Sequence, residues 1–146
     1  MGGLILAAGL FLLVVANLDG SHSRLYANEA SAVGKLRTVL TLQDQYMTGH
    51  ARDEFACELA LLKPLGQQNF PDHSLEFLTT AAQSGYKFSL VSCGSDANRA
   101  RVRYQVTAVP IQQGTTGVRA FCADETGVIW YDPEGSATRL ILRRTY

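Results

Sequence analysis

The sequence predicts an α+β chain: one long N-terminal helix, apolar first and amphipathic afterwards, packed against a small antiparallel sheet of four strands. Three observations carry this expectation. Residues 1–18 (MGGLILAAGLFLLVVANL) contain no charged side chain. Residues 24–48 place apolar side chains at helical spacing. From residue 86 onward, apolar and polar residues alternate in short runs separated by turn-forming sequences.

The first segment is aliphatic on every side, so as a helix it offers no face to water. Gly2 to Leu18 would span about 25 Å, slightly short of a hydrocarbon core of about 30 Å. A cleaved signal peptide fits the length, but the segment lacks a basic start and a clean small-residue cleavage site. A buried helix of a soluble domain would show polar positions at helical spacing, and they are missing. A membrane or filament-core helix needs neither and is the preferred reading. Residues 17–23 (NLDGSHS) should loosen the helix. Gly20 costs about 1 kcal/mol relative to Ala, and Asp19, Ser21 and Ser23 compete for backbone hydrogen bonds. The chain therefore divides into a stem, residues 1–23, and a head, residues 24–146, that includes the amphipathic half of the helix.

Within residues 24–48, Val33, Leu36, Leu40 and Met47 form the expected stem–head packing stripe. Ala32, Val39, Leu42 and Tyr46 widen it, whereas Glu29, Lys35, Gln43 and Asp44 lie largely off it. Gly49 supplies a stop. Residues 51–84 read as a linker with short helices: a turn or two around 54–62, closed by Pro64 and Gly66, and a helix over 74–83 ended by Ser84 and Gly85. Four strands follow between residues 86 and 132. They are 86–92 (YKFSLVS), 101–110 (RVRYQVTAVP), 117–123 and 128–131, with one face on the stem and the other in water. Asp124–Gly127 is a hairpin loop, and Asp132–Gly135 places Pro133 where a type I turn wants it. Residues 133–146 are left as a tail.

Composition narrows the function. Basic and acidic residues balance at 13 each, so nothing favours a nucleic-acid partner. Cys57, Cys93 and Cys122 show no CxxC pairing, and with His22, His50 and His73 at unrelated spacings no metal site is expected. In an oxidising compartment one disulfide forms. Cys57 with Cys93 is favoured, because one sits in the irregular linker and the other at a strand end; Cys57 with Cys122 is the next choice. A closed loop of about 36 residues contributes roughly 3–4 kcal/mol. No nucleophile, base and orienting group come together in a recognisable motif, so no catalytic residue, cofactor or enzyme activity is expected. Asp124, Glu125, Asp132 and Glu134 read as turn formers sooner than as calcium ligands.

The block at residues 27–38 (ANEASAVGKLRT) resembles the stem motif of a subgroup of bacterial type IV pilins and type II secretion pseudopilins. Residues 84–88 (SGYKF), 104–110 (YQVTAVP), 116–123 (TGVRAFCA) and 124–131 (DETGVIWY) resemble strand segments of the same heads, in order. The resemblance covers residues 23–136. It departs at the front: the family's short basic leader, the Phe after its cleavage Gly and the Glu that follows are not matched, and Met1 falls near where that Glu would lie. The resemblance implies a structural subunit assembled through its apolar helix, with Leu4, Leu6, Leu10, Leu13 and Val14 carrying assembly. It also implies a homopolymeric helical filament or a companion pilin chain as partner. The subunit would sit in the inner membrane with its head outside the cytoplasm, then in an extracellular filament. The alternative reading is a membrane-anchored or periplasmic monomeric binding module with a pilin-like head.

Overall fold

The computed structural model describes residues 2–50, 54–71, 75–95 and 102–142; the side chains of residues 1–19, 21, 92, 94, 95, 102, 141 and 142 lie outside the description. One helix, α1, runs from Gly2 to Gly49. At 48 residues it is about 72 Å long. The loosened segment expected at residues 17–23 is helical. Propensity explains why: one glycine costs only about 1 kcal/mol, and a helix already nucleated on both sides gains a hydrogen bond per residue by continuing. Ser23 does not break the ladder either, since its hydroxyl donates back to the Gly20 carbonyl at 3.0 Å. Among the described residues no helix is long and apolar enough to cross a membrane.

Among the described side chains, the head covers α1 from Glu29 onward. Gly20, His22, Ser23, Arg24, Tyr26 and Ala27 are exposed, and burial begins at Glu29. From there Glu29, Ala32, Leu36, Val39, Leu42 and Gln43 are all buried. The steps of three and four residues make one continuous stripe. Of the expected packing residues, Leu36 is at its centre, Val33 and Leu40 flank it half-buried, and Met47 is half-buried beyond it.

After α1 comes a 3-10 turn, Leu59–Leu62, continuing directly into α2, Lys63–Asn69. Pro64, expected to close a helix, opens one instead, because the first turn has no use for its missing N–H. Gly66 lies inside α2 and lets Leu75 approach; a Cβ there would stand 2.6 Å from Leu75 Cδ1. The expected helix over 74–83 is shorter: α3 spans Phe77–Thr80, and its start at Ser74 lies outside the described residues. Ala81 turns left-handed, at φ 55°, and releases Ala82–Gln83 as a short strand, β1.

Among the described residues the sheet has five strands, where four were expected. β1, β2 (Tyr86–Ser95), β3 (Val102–Pro110), β4 (Ala120–Asp124) and β5 (Ile129–Asp132) pair in sequence order, every pair antiparallel. Its stem-facing side carries Tyr86, Phe88, Tyr104, Val106, Ala108, Phe121 and Ala123, which share one core with the α1 stripe. β2 bulges between Leu90 and Ser92. The extra residue shifts the alternation, so that Cys93 and not Ser92 shares the stem-facing side with its partner Tyr104.

The far side of the sheet was expected to face water. Instead a helix, α4 (Ala137–Leu142), folds back from the presumed tail, and Leu140 packs with Ala120, Cys122 and Val109. Thr107, Gln105 and Asp124 are buried on this side as well. The two expected turns form. Gly127 and Gly135 sit at φ 76° and 73°, each donating its N–H back across its turn, to Asp124 and Asp132 respectively.

Candidate functional site: the stem–head junction

Where α1 enters the head, one buried carboxylate gathers the loop before β4. Glu29 is 3% exposed. Its Oε1 accepts the backbone N–H groups of Val118 and Arg119 at 2.9 and 3.0 Å. Its Oε2 accepts from Arg119 Nε at 2.7 Å and forms an ion pair with the same guanidinium at 2.6 Å. Both oxygens are thus used, and the Arg119 contact is two-pronged. Burial by itself would raise the Glu29 pKa; the two backbone donors and the guanidinium outweigh it, and the carboxyl is held below its ordinary value. Arg119 is shifted up in return, chiefly by its hydrogen bond to Glu29.

Neighbours complete the clasp. Asn28 Nδ2 donates to the Thr116 carbonyl at 2.9 Å. From β2, the buried Tyr86 hydroxyl donates to the Arg119 carbonyl at 2.7 Å. Burial, with the Glu29 charge adding to it, pushes the Tyr86 pKa well up, so the phenol remains a donor. Gly117 is required here, since any Cβ would lie 2.1 Å from the Tyr86 oxygen. The Arg119 guanidinium also lies over the rings of Phe121 and Tyr131, 5.8 and 5.6 Å from their centroids. The segments at 27–38, 84–88 and 116–123, far apart in sequence, therefore meet at one point.

A second polar pin sits three to four turns further along. Gln43, fully buried, accepts from Ala56 N–H and donates to Ala56 C=O, both at 2.8 Å. It ties the linker to α1 just before Cys57. Cys57 and Cys93 are joined as a disulfide, with Cα atoms 5.4 Å apart, and Cys122 is buried beneath α4. Linker and sheet are thereby fastened to each other and to the helix.

Glu29 and Gln43 were expected off the apolar face, and sequence reasoning missed their role. The missing signal was phase: residues 29, 32, 36, 39 and 43 keep the same three-and-four spacing, and only the polarity of the two end members hid it. Asp124 accepts from the Thr126 N–H and hydroxyl, Asp132 accepts from Glu134 N–H, and Glu134 pairs with Arg139. These carboxylates organise turns, and among the described residues no cluster of three metal-ligating side chains forms. Leu4, Leu6, Leu10, Leu13 and Val14, expected to carry assembly, lie on the first turns of α1, with side chains outside the described residues.

The junction is chemically a clamp. Its carboxylate is saturated with donors and its phenol is held protonated, so the arrangement fixes a helix to a head. Comparison with known families, curated proteins and solved structures found no match to this chain.

Proposed function

We propose that the chain is a structural subunit of a type IV pilus-like or pseudopilus-like filament, assembled through the apolar half of α1. The observation that carries this reading is the division of one unbroken helix. About seven turns precede the first residue clasped by the head, and their sequence is apolar through Leu18. Such a surface must be covered, by lipid before assembly in the inner membrane and by other stems afterwards. Burial contributes about 25 cal/mol per Å². Gly2, Gly3, Ala7, Ala8 and Gly9 permit close backbone approach between helices.

The clamp supports the same reading. Heads that tile a filament through heterologous, non-closing contacts need a fixed orientation relative to the stem. Glu29, Asn28 and Gln43 supply it at both ends of the docked stretch. No catalytic role is proposed.

The test is Leu10→Asp. A charge in the packed stem should abolish filaments on the cell surface while circular dichroism and the disulfide report a folded head. Normal filaments from this variant would remove the stem from assembly.

A further inference from the structure

The Cys57–Cys93 disulfide joins two residues of unequal access. Cys57 is exposed on the linker, between the end of α1 and the 3-10 turn, whereas Cys93 is half-buried on β2 and packs against the core. A thiolate that opens such a bond must reach one sulfur and expel the other, so access selects the sulfur that is attacked.

The chain around Cys57 is held in place without the disulfide. Immediately before it, Ala56 is 1% exposed and bonded through both its N–H and its C=O to Gln43. The Phe55 ring meets Tyr104 edge-on, 4.7 Å between centroids, and Tyr104 is the β3 partner of Cys93. Just after Cys57, Leu59 and Leu62 enter the core. Cys57 is thus an exposed residue strung between buried ones, and opening the S–S bond leaves its sulfur beside Cys93. Two groups held side by side meet far more often than groups joined only by a flexible loop spanning 36 residues. Cys122 can replace neither, because it is 1% exposed on the opposite side of the sheet, beneath α4.

We propose that this pair is a thiol–disulfide exchange site entered at Cys57, with Cys93 as its resolving thiol and Gln43 as the residue that positions them. Its substrates are disulfide oxidants when the bond is made and thiols when it is opened. In closure the Cys57 thiolate attacks the oxidant's disulfide and expels one of its thiolates, leaving a mixed disulfide. The Cys93 thiolate then attacks the Cys57 sulfur and expels the second. Two electrons and two protons leave the chain, and the oxidant becomes two thiols. Opening runs through the same mixed disulfide in reverse. The site belongs to the head alone, so it stands or falls separately from filament assembly.

The test uses the full chain in detergent micelles, with oxidised and reduced glutathione as probes. Oxidised glutathione should be trapped on Cys57 in Cys93→Ser about tenfold or more faster than on Cys93 in Cys57→Ser, access setting the rate. In a glutathione redox buffer, Gln43→Ala should lower the effective concentration of the pair about tenfold or more, as expected when buried backbone groups lose their partner. Buried Cys122 reports folding, and rates are taken only from molecules in which it is unmodified. A third measurement needs no variant: parent chain partly reduced and then acid-quenched should carry glutathione on Cys57. Equal trapping at the two cysteines, glutathione on Cys93 in the parent, or an effective concentration unchanged in Gln43→Ala would overturn the proposal.

Discussion

Replacing Glu29 by alanine isolates the clamp. The substitution strands two backbone N–H groups, those of Val118 and Arg119, at a site where the carboxylate was 3% exposed. A buried donor without a partner costs about 1–3 kcal/mol. The Arg119 side chain is 41% exposed and can turn to water, so its ion pair adds little beyond this. The expected loss is about 3–4 kcal/mol, set mainly by the two stranded donors. Glu29→Gln keeps an oxygen for both N–H groups and turns its amide toward a guanidinium that can swing away, so the expected loss is about 1–2 kcal/mol. Arg119→Ala should resemble the glutamine variant, because the two backbone donors still hold the carboxylate. The assay is urea unfolding of the full chain followed by the fluorescence of its single tryptophan, Trp130. A loss below about 1 kcal/mol for Glu29→Ala, or equal losses for alanine and glutamine, would refute the view that backbone donors dominate this site.

The depressed Glu29 pKa sets a pH dependence. In the folded state the carboxyl resists protonation, whereas the unfolded chain takes up its proton near the ordinary value of 4.5. Its stabilisation is thus complete above that pH and lost as pH falls below it; urea midpoints between pH 6 and 3 should fall less steeply in Glu29→Gln than in the parent. Gly117→Ala forces a Cβ against the Tyr86 hydroxyl and should cost about 1–3 kcal/mol, measured by the same unfolding curves. Cys57→Ser opens a crosslink spanning 36 residues and should cost roughly 3–4 kcal/mol, measured against the parent under non-reducing conditions. Cys122 is buried under α4, so a thiol reagent should modify it only after unfolding.

Much of the head could be read from sequence because its signals are local. Strand β3 alternates without interruption, and Gly127 and Gly135 mark turns that need positive φ. What could not be read depends on tertiary context. Whether residues 17–23 stay helical is a contest between weak propensities and helix cooperativity, and cooperativity wins. Glu29 and Gln43 look like solvent residues until the loop at Val118–Arg119 and the linker at Ala56 supply their partners. β1 is two residues long and exists only because β2 lies beside it. α4 follows a turn that equally suits a tail, and only the apolar residues under Leu140 call it back to the sheet. Stem positions such as Leu4 and Leu10 carry a strong compositional signal, but in the proposed filament their partners are other chains, which one sequence does not contain.

The most direct measurement is electron cryomicroscopy of material sheared from cells that make the full chain. Helical filaments with α-helical density along the axis and sheet-bearing heads outside are the predicted result. Recovery of the chain solely as isolated, water-soluble single copies would contradict it.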